Sequence, residues 1–159
     1  MAPSIKSRSA FAIATLALAV AIGAAVGTGG YTFVYAKGYS YLQDDPTACA
    51  NCHVMENHYA GWTKSSHRSV ATCNDCHAPT GLVAKYVNKA DNGFWHGLKF
   101  TTGEFKDPIQ IRAHNREITE AACRNCHGAL VDQMDTAHAD AEGVSCIRCH
   151  GSVGHPDDR

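Results

Sequence analysis

The chain has 159 residues, a formal net charge of −1 and 45% hydrophobic residues, enough for one modest domain plus an anchor. Its near-neutral balance, without a basic block, excludes a field-driven partnership with nucleic acid. Eight cysteines and ten histidines leave three chemistries open: disulfides in an exported protein, four-cysteine zinc sites, or covalent haem.

The first element is an apolar helix. Lys6 and Arg8 precede an uncharged run from Ala10 to Ala36. As a helix it reaches about 40 Å, against a hydrocarbon core of about 30 Å. Val34-Tyr35-Ala36 offers a signal-peptidase site, but a signal core runs only ~7–15 apolar residues. A retained anchor is therefore expected: residues 1–9 cytoplasmic, 10–36 through the lipid bilayer, 37–159 exported. Leading basic residues keep the N-terminus inside, which puts the remainder in the periplasm of a bacterial inner membrane. Tyr31, Tyr35, Tyr39 and Tyr41 cluster where an interfacial aromatic belt sits. Gly23 and Gly27 form a small-xxx-small pair able to seat another helix, which leaves a homo-oligomer open, although chance also produces such pairs.

Beyond the anchor come Cys49-Ala50-Asn51-Cys52-His53, Cys73-Asn74-Asp75-Cys76-His77, Cys123-Arg124-Asn125-Cys126-His127 and Cys146-Ile147-Arg148-Cys149-His150. Every cysteine belongs to a C-x-x-C-H, the attachment signature of c-type haem. Two thiols three positions apart reach the two vinyl groups of one porphyrin, and the next residue falls under the iron as an axial imidazole. Zinc ribbons do not require a histidine after each pair, and no cysteine is left over for disulfides. Four covalently attached haem c groups are expected.

The domain at 37–159 then has roughly thirty residues per haem, too thin a polypeptide to bury much core of its own. The expected fold is mainly α with much irregular coil, built around four haems. Periodic segments predict helices over Thr80–Lys99, Gln110–Cys126 and Ala129–Ala141, with turns at Asp45-Pro46 and Lys106-Asp107-Pro108 and a terminal coil from Gly154. The motif pairs 49–77 and 123–150 form an internal repeat. Each encloses one histidine ahead of its second motif, His67 and His138, which predicts that a histidine of one half ligates a haem of the other.

Four low-spin haems need eight axial ligands, and the motifs supply His53, His77, His127 and His150. His67 and His138 are the leading distal candidates. His96 follows among Phe94, Trp95 and Leu98, and His155 lies just past the fourth motif. His114, among polar neighbours, and His58 are expected at the surface or behind the ligands. Met55, two residues after His53, competes with it for the first iron, and methionine ligation raises a haem potential relative to histidine; from local sequence alone, packing is the plainer role for Met55.

From Tyr41 onward the sequence resembles the NapC/NirT family of membrane-anchored tetrahaem quinol dehydrogenases. The resemblance is carried by Tyr41–Pro46, Cys49 through Met55, Ser65-Ser66-His67, Cys73 through Gly81, Lys85-Tyr86 and residues 89–96. It implies that Met55 rather than His53 ligates the first haem, which lies at the membrane surface with an acidic residue on its open side and a lysine nearby. Those roles fall on Asp91 and Lys85. The chain has Asp91-Asn92-Gly93 where the family pattern has Asp directly before the glycine, so the acidic role is displaced by one position. The resemblance also implies membrane quinol, menaquinol foremost, as electron donor and a periplasmic multihaem reductase as acceptor, with a nitrite reductase catalytic subunit the leading expectation. Quinol yields protons that haem cannot take, and a carboxylate or amine beside the ring supplies that need. Two other functions stay open: a tethered relay without a quinol site, and a terminal reductase, which the absence of a dedicated basic cluster disfavours.

Overall fold

The computed structural model describes residues 5–137 and 145–156. It divides into two compact units, one ending at Tyr39 and one beginning at Ser40.

The uncharged N-terminal run has nothing to break it and forms α1, Ile5–Tyr35. Within it Arg8–Tyr35 is long and apolar enough to cross a membrane, and none of it is buried in the protein. A short 3₁₀ turn, Gly38–Leu42, follows.

The second unit is a set of short helices joined by turns, with no strand among the described residues. Asp45-Pro46, expected as a turn, begins a helix instead. Asp45 caps α2 (Pro46–Cys49) by accepting from the Thr47 amide at 2.8 Å, and Pro46 takes the first helical position, where a missing N–H is harmless. A 3₁₀ turn, His53–Met55, leads into α3, Glu56–Trp62. Trp62 Nε1 donates to the Ala71 carbonyl at 3.0 Å and closes the following loop. α4, Cys73–His77, starts on a capping box in which the Asp75 carboxylate takes the Thr72 N–H and hydroxyl, each at 2.7 Å.

α5, Leu82–Thr102, runs from Gly81 (φ 93°) to Gly103 (φ 74°); both glycines hold left-handed backbone that other residues resist. α6 spans Ala113–Ala137 with a break at His127 (φ −106°, ψ 15°). The break falls between the two helices expected there, Gln110–Cys126 and Ala129–Ala141, which meet at a kink where the third motif ends. α7, Cys146–His150, completes the order. α4 packs on α2 and α6, and α6 on α7.

Ala78 is the one buried apolar side chain among the described residues, beside buried Asn88, Lys89 and Asn115. On α5 the apolar stripe Val83, Val87, Phe94 and Leu98 is exposed. Its opposite stripe, Lys85, Lys89, Asn92 and His96 at i, i+4, i+7 and i+11, makes polar contacts with other parts of the protein. Periodicity located the helix, but the polar side is the one that faces the protein.

Candidate haem and quinol site

Three of the four motifs are built alike. In α4 and α7 the helix begins at the first cysteine and ends at the histidine; in α6 the backbone is helical through Cys126 and departs at His127. One helical turn sets two cysteines at i and i+3 on one face. The first motif differs. α2 stops at Cys49, Cys52 is extended (φ −89°, ψ 119°), and the chain re-enters a 3₁₀ turn at His53. With three residues per turn, His53 and Met55 point about 120° apart, so only one can serve a given side. His53 is exposed and Met55 half-buried.

The motifs are linked in chain order. The sulfurs of Cys49 and Cys73 are in hydrogen-bonding contact, Cys76 neighbours Cys126, and Cys123 contacts Cys146. None of the eight cysteines forms a disulfide. Glu120 on α6 holds the fourth motif: its carboxylate accepts from the amides of Cys146 at 2.8 Å and Ile147 at 3.3 Å, and from the Ser145 hydroxyl. Burial raises the Glu120 carboxyl, but these donors outweigh it and hold it below its usual range.

Two histidine pairs emerge. His67 and His127 have ring centres 6.2 Å apart; His77 and His155 are 6.0 Å apart with planes within 15°. A metal bonded to two imidazoles at about 2 Å each leaves their centres roughly 6 Å apart. Burial, with His155 and His58 alongside, pushes His77 down to about 4, so it is a neutral imidazole, the form that ligates metal. His58 lies edge-on to His155 at 4.8 Å, and His114 is exposed. His138 lies outside the described residues. His96 meets no motif histidine; its Nδ1 is 2.8 Å from the Tyr41 hydroxyl, and burial, Arg112 and Lys99 lower its pKa against the pull of Asp91. Burial pushes the Tyr41 phenol up to about 12.

Lys85 and Asp91, six positions apart on α5, lie about 9 Å apart along its axis and roughly 120° around it, and each has its own counter-ion. Lys85 Nζ meets Asp44 Oδ2 at 2.6 Å, while Asp91 is paired with Arg112. Lys89 donates to the Gln43 carbonyl at 2.7 Å and to Asp44 at 3.0 Å. Asp44 and Lys89 both act on Cys49, and Tyr41 lies near Cys49 and Cys52. Sequence reasoning missed Asp44, Lys89, Arg112, Tyr41 and Glu120 as site residues. Lys89 had a signal, since it follows Lys85 by one helical turn; Arg112, 21 residues from Asp91, had none.

These features fit covalent haem: free cysteine pairs, imidazole pairs at iron-bridging separation, and almost no apolar core among the described residues. The NapC/NirT cytochrome c family, N-terminal region, matches residues 8–158. The chain belongs to that family. This NapC/NirT cytochrome is 38% identical to the cytochrome c-type protein NrfH of Wolinella succinogenes, over 86% of this chain and 82% of that protein. It is 33% identical to the cytochrome c nitrite reductase subunit NrfH of Nitratidesulfovibrio vulgaris, over 76% and 72%. Its fold is similar to a crystal structure of a cytochrome c nitrite reductase NrfHA complex bound to the HQNO inhibitor, with a TM-score of 0.58 and 27% identity, over 94% of this chain and 99% of that one. It is thus a mainly helical haem c protein with a single N-terminal membrane anchor.

Proposed function

We propose that this NapC/NirT cytochrome oxidises a membrane quinol, menaquinol foremost, and passes the electrons to a periplasmic multihaem reductase, the catalytic subunit of a nitrite reductase. The partner follows from its similarity to the NrfH proteins and to a chain of the NrfHA complex. The orientation follows from Lys6 and Arg8: N-terminus cytoplasmic, haem domain periplasmic, in the inner membrane. Gly23 and Gly27 leave a helix face on which a second copy can pack.

The observation that carries the quinol step is the departure of the first motif from the other three, with Met55 turned inward and His53 outward. We assign Met55 to the first haem; His77 with His155 to the second; His67 with His127 to the third; and His150 to the fourth, with His138 its candidate distal partner. His53 is the alternative at the first haem. His96 is assigned beside that haem through Tyr41 rather than to an iron. Each haem c, four in all, supplies one-electron transfer and takes no proton. Lys85, an ammonium in its ion pair, donates a hydrogen bond to a quinol oxygen. Asp91 takes the proton, leaving Arg112 as it does so.

Changing Asp91 to Asn should lower oxidation of a quinol analogue by about 10²–10⁴, the usual scale for a positioned acid or base, and Lys85 to Met should lower it through the lost hydrogen bond, with haem content and dithionite reducibility intact in both. Unchanged rates in both variants would reject the site. A second reading, a tethered relay without its own quinol site, is favoured by one observation: Lys85 and Asp91 are held apart by separate counter-ions. Quinol oxidation by the isolated protein decides between the two.

A further inference from the structure

Asp44 lies outside every motif and every helix, yet its carboxylate joins two helices, α4 and α5. Its Oδ2 accepts from Lys85 at 2.6 Å; its Oδ1 accepts from Lys89 at 3.0 Å and from Asn74 Nδ2 at 2.7 Å. Asn74 sits inside the second motif, the two lysines lie one turn apart on α5, and Asp44 precedes the first motif by five residues.

The two lysines are held differently. Lys89 is almost enclosed, its side chain 9% exposed, and the Gln43 carbonyl also anchors it. The Lys85 side chain is 24% exposed, and Asp44 is the one hydrogen-bond partner of its ammonium among the described residues. An ammonium has three N–H groups and no acceptor. With one donor fixed on Asp44, Lys85 keeps two for an incoming oxygen. An ammonium has no lone pair, so it enters as a donor only.

We propose that Asp44 is a positioning residue of the quinol site: it fixes the Lys85 ammonium as a hydrogen-bond donor to the quinol oxygen, and through Asn74 it registers that donor against the second haem-attachment helix. This rests on the reading that Lys85 contacts quinol. The balance is complete without a proton on Lys85. One quinol releases two electrons to haem c and two protons through Asp91 to solvent, becomes quinone, and leaves Lys85 unchanged. Asp44, about half exposed, is never a proton acceptor in this scheme, because Lys85 and Lys89 hold its carboxyl down to about 2.

The test is a double-mutant cycle on the haem-loaded full chain, with a water-soluble naphthoquinol as donor and an artificial acceptor. Lys85→Met, Asp44→Asn and the double variant are compared for kcat and KM. If Asp44 acts through Lys85, Asp44→Asn should lower kcat/KM by about 10-fold or more, and the double variant should be no worse than Lys85→Met alone, because coupled residues are non-additive. Asp44→Glu, which keeps the charge, should recover most of the loss. Wild-type kinetics for Asp44→Asn, or losses that multiply in the double variant, would overturn the proposal. A Lys85→Met protein that oxidises quinol normally would instead reject the quinol site itself. Should Asp44→Asn fail to incorporate haem because Lys89 loses its carboxylate, the comparison is repeated in a Lys89→Met background, where no enclosed ammonium is left unpaired and the same outcomes decide.

Discussion

A Cβ at Gly61 would overlap the Pro156 ring and lie 3.2 Å from the His155 Cα. Neither neighbour is the far end of a flexible side chain, so Gly61→Ala must push the 155–156 segment away from α3 and carry His155 off His77. The expected outcome is one haem turning from low to high spin, read by visible and EPR spectroscopy, with all haems still attached. Gly61 had no signal in the sequence, since its role comes from a segment more than ninety residues away. His155 was legible only as one spare histidine among several, because spacing cannot say which imidazole folds back onto which motif. Asp44 makes a second case at this scale. Hydrogen bonds from Lys85 and then Lys89 lower its carboxyl from 3.8 to about 2. A carboxylate depressed on folding contributes stability in full above about pH 4 and loses it as pH falls toward 2. Acid unfolding of the haem-loaded protein should show that increment, modest because solvent screens a half-exposed group, and Asp44→Asn should lack it.

Among the elements, the helix carrying the third motif was legible from its period; the five-residue helices at the second and fourth motifs were not, although C-x-x-C-H is local and one turn of helix does the whole job. The first motif keeps the same residues and abandons the helix, and in the sequence only the following Met55 hinted at that. α5 was found from its period, but which side faces inward was not legible, since polar contacts with Tyr41, Gln43 and Asp44 decide the packing where apolar burial usually does. The five-residue α7 is too short to stand alone, and Glu120 answers its exposed amides. Glu120→Ala should cost about 1–2 kcal/mol, the scale of a lost N-terminal cap. Denaturant unfolding of the haem-loaded protein measures this, and any spectral change should fall on the haem of the fourth motif. An unchanged midpoint would mean that the thioether bonds alone hold α7 in place.

Taken whole, the molecule is a polypeptide of 17.0 kDa whose denatured form should weigh more than its sequence by four haems; a surplus of two or three would expose an unused motif. Fold class and cofactor were readable because cysteine and histidine spacing is written residue by residue. The counter-ion pairs around the first motif were not, because they join side chains 21 to 45 positions apart. The single enclosed apolar side chain among the described residues, Ala78, bears on how such a protein comes to be folded. Denaturant slopes and heat-capacity steps both scale with the apolar surface that unfolding exposes, and the chain by itself has little to expose. Before its thioether bonds are made it should therefore melt gradually, with a shallow urea dependence and almost no calorimetric peak. Cooperativity would arrive with the porphyrins, so the chain remains open to proteases until attachment is complete, and a lost cysteine is felt as failed maturation before it is felt as slow electron flow.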